Sequence, residues 1–121
     1  MAKTILYIED DENDQRLVRK VLSTYDYRVV TADDGESGLG LAETLRPDLI
    51  LVDLQMPGLS GLETVRRLRQ IEHCAQVPIV GLTAYTEKFE YESCLKAGFS
   101  DYQQKQAGIK PLLALVERFL G

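Results

Sequence analysis

Cysteine, histidine and positive charge are all in short supply in this chain. The two cysteines, Cys74 and Cys94, have neither CxxC spacing nor a histidine pair nearby, which leaves them as reduced structural thiols of a cytosolic protein. The single histidine, His73, lies near a helix end beside Cys74, and no second histidine or acid is spaced to make it a metal ligand or a phosphoryl donor. Lys and Arg number 14 against 19 Asp and Glu, a formal net charge of -5, which argues against a nucleic-acid or anionic-membrane surface and for a protein or a cation as partner. No apolar stretch is long enough to span a membrane, and Met1-Ala2-Lys3-Thr4 carries no signal-peptide pattern, so the expected location is the cytoplasm. Repeats, low-complexity tracts and linkers are also lacking. A chain of 121 residues is therefore expected to form one domain, 1–121, with no output domain.

What is present alternates. Strand signals at 4–8, 28–31, 49–52, 79–82 and 101–102 are interleaved with helix signals that begin near Asn13, Glu36, Leu62, Glu87 and Ile109. Such alternation predicts βαβ units: an α/β, doubly wound parallel sheet with helices on both faces. The first, third and fourth strands are apolar throughout and are expected to be central; the second and fifth are more polar and are expected at the edges. In the first helix Leu17, Val18, Val21 and Leu22 recur at helical spacing, with Arg16, Arg19 and Lys20 facing away. Pro47, Pro57 and Pro78 fall in connections, and Gly98 after Leu95-Lys96-Ala97 reads as a helix stop. The second helix is the weakest, because Gly38 and Gly40 within it each cost about 1 kcal/mol relative to Ala, and it is expected to fray first.

The buried run Asp48-Leu49-Ile50-Leu51-Val52-Asp53 reads as an interior strand that ends on a carboxylate. Glu9-Asp10-Asp11 follows strand one, Thr83-Ala84 strand four and Lys105 strand five. All these strand ends open on one edge of a right-handed parallel sheet, so the residues converge on an acidic cup with one hydroxyl and one ammonium. Carboxylates so close raise one another's pKa unless a cation screens them, and Mg²⁺, with its preference for hard oxygen ligands, is the natural guest. Asp53 could then act as a nucleophile toward a phosphoryl group, with Lys105 and the metal neutralising its oxygens and Thr83 donating a hydrogen bond.

These residues, with Asp53-Leu54-Gln55-Met56-Pro57-Gly58-Leu59-Ser60-Gly61, Leu82-Thr83-Ala84, Ala97-Gly98 and Asp101-Tyr102 ahead of Lys105, closely resemble the receiver domain of two-component response regulators, over essentially the whole chain. The resemblance implies a flavodoxin-like, five-stranded sheet of order 2-1-3-4-5. It implies Asp53 as the phosphoacceptor, charged from a phosphohistidine on a sensor histidine kinase or phosphotransfer protein. Asp10 is implied as a direct Mg²⁺ ligand beside Asp53, Glu9 as a ligand through water, and Gln55 as one through its main-chain carbonyl. Thr83 and Tyr102 are the implied switch pair, and Ala84 leaves room for the phosphoryl group. The signal would pass by changing which downstream protein is bound, as a monomer or a phosphorylation-dependent dimer, with no activity beyond weak self-phosphorylation and autodephosphorylation.

One departure stands out. The family usually has proline after the lysine, in cis; here Gln106 and then Ala107 follow, and a cis bond before a non-proline costs about 2.5–4 kcal/mol, so Lys105-Gln106 is expected to be trans. The loop before the last helix then takes a different path, which bears on the output face. Tyr85 and Gln55 flank the path of an attacking water, and the bulk of Tyr85 is expected to slow hydrolysis. Two alternatives stay open: a degenerate receiver that serves as a phosphorylation-independent scaffold, and an aspartyl phosphohydrolase of the haloacid-dehalogenase type, which Gln55 in place of a second Asp disfavours.

Overall fold

The computed structural model describes residues 2–56, 58–83, 95–105 and 108–121. Its elements run β1 (Thr4–Ile8), α1 (Glu12–Thr24), β2 (Arg28–Ala32), α2 (Gly35–Leu45), β3 (Leu49–Asp53), α3 (Gly61–Gln70), a 3₁₀ turn (Glu72–Cys74), β4 (Ile79–Thr83), β5 (Asp101–Gln104) and a C-terminal helix (Ile109–Leu120). Residues 95–97 are helical and end at Gly98, whose φ of 117° is the conformation a helix stop requires. The helix expected from Glu87, with Ala84, Tyr85 and Cys94, lies outside the described residues, as do Pro57 and the Lys105-Gln106 bond with Ala107.

Helix starts follow their caps. The side chain of Asp11 accepts from the amides of Asn13 and Asp14, Asp34 from Ser37 and Ser60 from Glu63, so α1, α2 and α3 each begin one residue before the start expected from hydrophobic spacing. Strands β2, β3 and β4 each run one residue further than expected, and β5 two further, to Gln104.

All pairings are parallel and the order is β2-β1-β3-β4-β5, with the two polar strands at the edges. The pleat sends alternate side chains to opposite faces. Leu6 and Ile8, Ile50 and Val52, and Ile79 pack with Ala42, Val65 and Leu68 on the α2 and α3 side. Ile5 and Tyr7, Leu49 and Leu51, and Val80 and Leu82 pack with Val18, Leu22, Leu112 and Val116 on the α1 and C-terminal side.

The buried stripe of α1 is Gln15, Val18 and Leu22, and Leu17 is exposed, contrary to expectation. Leu17 lies about 100° around the axis from Val18, beyond the edge of the sheet-facing stripe. Leu17 instead borders a groove of about 280 Å³ lined also by Tyr7, Asp14, Lys105, Ile109 and Leu112. His73 donates from Nε2 to the Ala42 carbonyl at 2.6 Å, satisfying an orphan acceptor of the last turn of α2. Cys74 is fully buried, a structural thiol as expected, and burial pushes it up from its ordinary pKa.

The two interior glycines of α2, Gly38 and Gly40, differ. A Cβ on Gly38 would stand 2.3 Å from Ile8 Cδ1, so this glycine lets the helix approach β1, whereas one on Gly40 would meet nothing within 4 Å. Gly40→Ala is therefore expected to stabilise the fold by about 1 kcal/mol, and Gly38→Ala to destabilise it. Urea unfolding of the two variants checks this, and equal effects would refute the assignment.

Candidate functional site

Register gathers the site. Tyr7 pairs with Leu51 and Ile8 with Val52, so one further step sets Glu9 opposite Asp53, on the face that carries Tyr7. Asp53 pairs with Leu82 and Thr83 with Gln104, so Lys105, next along the chain, returns to the face of Asp53. Glu9, Asp53 and Lys105 thus come from three strand ends to one point beneath the N-terminus of α1.

The distances bear this out. Lys105 Nζ stands 2.5 Å from Glu9 Oε1, 3.1 Å from Asp14 Oδ2 and 3.5 Å from Asp53 Oδ2. Glu9 is fully buried and Asp53 nearly so, while Asp10 is exposed. One carboxylate oxygen from each of Glu9, Asp10 and Asp53 falls within 4.8 Å of the others, a spacing that could hold a metal ion. Gln55 enters through its backbone, its amide donating to Asp53 Oδ1 at 3.0 Å. That bond occupies one oxygen of Asp53, and the other faces the ammonium.

Burial, and after it the Asp53 carboxyl, push Glu9 above its ordinary pKa, against the downward pull of Lys105. Asp10 is raised as well, by desolvation and then by Glu9. Burial alone would lower Lys105, but its pairing with Glu9, and then with Asp14 and Asp53, leaves it raised, so it stays charged. Tyr7 is raised by burial and then by Glu9, and its phenol stays protonated and donates to Glu9 Oε1 at 2.9 Å. The mutual repulsion of the acids is the strain that a bound cation relieves, so the residues present fit a divalent metal.

Thr83 ends β4 and is buried. Tyr102 pairs with Gly81, two residues before Thr83, which places Tyr102 and Thr83 on one sheet face as diagonal neighbours, with no side chain on Gly81 between them.

Two groups were not anticipated. Asp14 reaches Lys105 from the first turn of α1, and Gln15 donates from Nε2 to the Glu9 carbonyl and, at 2.8 Å, to Asp33 Oδ1. Gln15 shares the helical face of Val18 and Leu22, and a polar residue in that register was the available signal. Asp11 caps α1 and stands apart from the metal-holding group.

Residues 5–117 match the model of the response regulator receiver domain. The chain is 30% identical over 121 residues to the polar-differentiation response regulator DivK of Brucella anthropi, covering 100% of this chain and 98% of that protein. Its fold is similar to that of the chemotaxis protein CheY4 of Vibrio cholerae, with a TM-score of 0.95 at 27% identity, covering 98% of this chain and 99% of the other. It is also similar, with a TM-score of 0.90 at 34% identity and 100% and 99% coverage, to the receiver domain of a sensor histidine kinase from Pseudomonas aeruginosa, solved with a magnesium ion coordinated in the active-site cleft. Among the described residues no helix is long and apolar enough to cross a membrane.

Proposed function

The chain belongs to the response regulator receiver domain family, and from that membership we propose that it is the phosphoacceptor of a two-component or phosphorelay pathway, with Asp53 as the acceptor. The observation that carries this reading is the Lys105 ammonium 3.5 Å from Oδ2 of a buried aspartate whose other oxygen is already engaged by the Gln55 amide.

Asp53 Oδ2 attacks the phosphorus of a phosphohistidine on a sensor histidine kinase or phosphotransfer protein, and the P–N bond breaks with its electron pair leaving on the imidazole. Lys105 sits where negative charge gathers on the phosphoryl oxygens, and the Thr83 hydroxyl donates to one of them; fixed charges placed in advance are what such a transfer chiefly needs. Asp10 and Asp53 would hold Mg²⁺, with Glu9 through water and Gln55 through its carbonyl, and the bound ion supplies further neutralisation of those oxygens. The magnesium in the active-site cleft of the Pseudomonas relative, together with the acidic cluster of Glu9, Asp10 and Asp53, supports a metal at this place. The chain's own activity is confined to assisting its phosphorylation and the return to aspartate.

The output follows from the same residues. Once Thr83 turns toward the phosphoryl group, the neighbouring Tyr102 fills the vacated space, and the face around β4, β5 and the C-terminal helix changes for a downstream protein.

Incubation with acetyl phosphate and Mg²⁺, followed by intact mass, tests the proposal. The expected result is a single phosphoryl adduct, absent in Asp53→Asn and absent without the metal. Full modification of Asp53→Asn, or no adduct on the unaltered chain, would overturn it; the latter outcome favours a phosphorylation-independent scaffold.

A further inference from the structure

Tyr7 lies in the middle of the core layer formed with Ile5, Leu49 and Leu51, where an aliphatic side chain would fill the same role, yet its hydroxyl leaves that layer and enters the acidic site. We propose that Tyr7 is a positioning residue for the metal and phosphoryl site: its hydroxyl fixes the Glu9 carboxylate so that one oxygen is committed and the other is presented to the cation. This rests on the receiver reading above.

The two oxygens of Glu9 have unequal partners. Oε1 takes the Tyr7 hydroxyl at 2.9 Å and the Lys105 ammonium at 2.5 Å, which commits its acceptor capacity. Oε2 has the Asp11 amide at 3.4 Å, a long contact that leaves it available. A glutamate terminal torsion is broad and roughly two-fold, so a buried carboxylate presents a defined oxygen only where donors hold it. Lys105 cannot supply that hold by itself, because it is shared with Asp14 at 3.1 Å and Asp53 at 3.5 Å and is the group drawn toward an arriving phosphoryl group. Tyr7, fully buried and anchored in the sheet, is the partner that stays. It keeps Glu9 in place while the lysine moves.

Tyr7→Phe removes one oxygen atom and keeps the packing. Outer-shell partners of metal ligands are typically worth about 10- to 100-fold in metal affinity, so calorimetric titration of the variant with Mg²⁺ should show binding weakened by roughly 10-fold. The Mg²⁺ needed for half-maximal phosphorylation by acetyl phosphate should rise in step, with the rate at saturating Mg²⁺ close to that of the unaltered chain. A variant that merely loosened the core would lower that rate as well. In a Glu9→Ala background, which removes both acceptor oxygens, Tyr7→Phe should change neither quantity, since the effect runs through the carboxylate. Unaltered Mg²⁺ affinity in Tyr7→Phe, or an equal loss with Glu9→Ala in place, would overturn the role of Tyr7. If the unaltered chain bound no Mg²⁺ and formed no adduct, the receiver reading would fall with it; if it does both and Tyr7→Phe matches it, this inference alone fails.

Discussion

Replacing Lys105 with methionine is expected to destabilise the metal-free protein by about 3–5 kcal/mol at neutral pH, the range seen when one partner is taken from a buried ion pair. The stem of the lysine packs much as methionine would, so the loss is almost wholly one of charge. The ammonium is 2.5 Å from a fully buried glutamate and 3.5 Å from a buried aspartate, and without it the two carboxylates face one another uncompensated. Urea unfolding across a pH series, with and without Mg²⁺, measures the effect. Glu9 is already raised above its ordinary 4.5 in the fold, so the folded chain holds that proton more tightly than the unfolded chain. Its contribution to stability is fully present below the unfolded value and is lost as pH rises through the folded one. Removing Lys105 takes away the downward pull, raises Glu9 further and widens that window. The gap between variant and parent should thus be small at acid pH, open toward neutrality and close again when Mg²⁺ supplies the missing positive charge. A variant as stable as its parent at neutral pH without metal would show that the cluster is not held by this lysine.

Arg69→Met is expected to cost about 3 kcal/mol, since hydrogen bonds to a charged group contribute roughly 1.5–3 kcal/mol each and are not fully additive. The half-buried guanidinium donates from Nε to the Gly98 carbonyl at 2.9 Å, and from one terminal nitrogen to the Cys74 carbonyl at 2.9 Å and the Val77 carbonyl at 2.6 Å. The other terminal nitrogen reaches Ser100 Oγ at 3.4 Å. The end of α3, the 3₁₀ turn, the approach to β4 and the approach to β5 are thereby tied to one side chain. Removal strands these carbonyls in a partly buried setting, and Arg69→Lys should rescue little, because an ammonium lacks the planar fork that spans them. Thermal melting should fall by roughly 10 °C in Arg69→Met, with the phosphorylation adduct still formed at low temperature. A shift of a degree or two would mean that solvent readily replaces the guanidinium.

The fold was largely legible because its signals are local. Apolar runs such as 49–52 and 79–82 have no stable place except a sheet covered on both faces, and the more polar runs at Arg28 and Asp101 went to the edges. Hydrophobic spacing places the starts of α1, α2 and α3 one residue late because it marks the buried stripe, while the start is set by the capping side chains of Asp11, Asp34 and Ser60. Periodicity alone gives a wide stripe that includes Leu17; how much of it the sheet covers depends on the angle at which α1 lies across the strands. Arg69 gave no sign of its importance, since its partners are backbone carbonyls and any residue types could supply them.

What the chain fixed by itself is the list of chemical groups and the rim they occupy: Asp53, Glu9, Asp10 and Thr83 each follow or end an apolar strand, Lys105 follows the polar fifth one, and parallel strands with right-handed crossovers bring those ends to one edge. Only the tertiary structure decided which groups touch. Parity of the pleat put Glu9, Asp53 and Lys105 on one face with Tyr7, and the seating of α1 brought Asp14 onto the lysine while turning Asp11 to its capping role. Sequence order sets which edge a side chain reaches; register and helix placement, which depend on the packing of the whole core, set its neighbours within a few ångströms, and at that range charge and hydrogen bonding determine what the site can do.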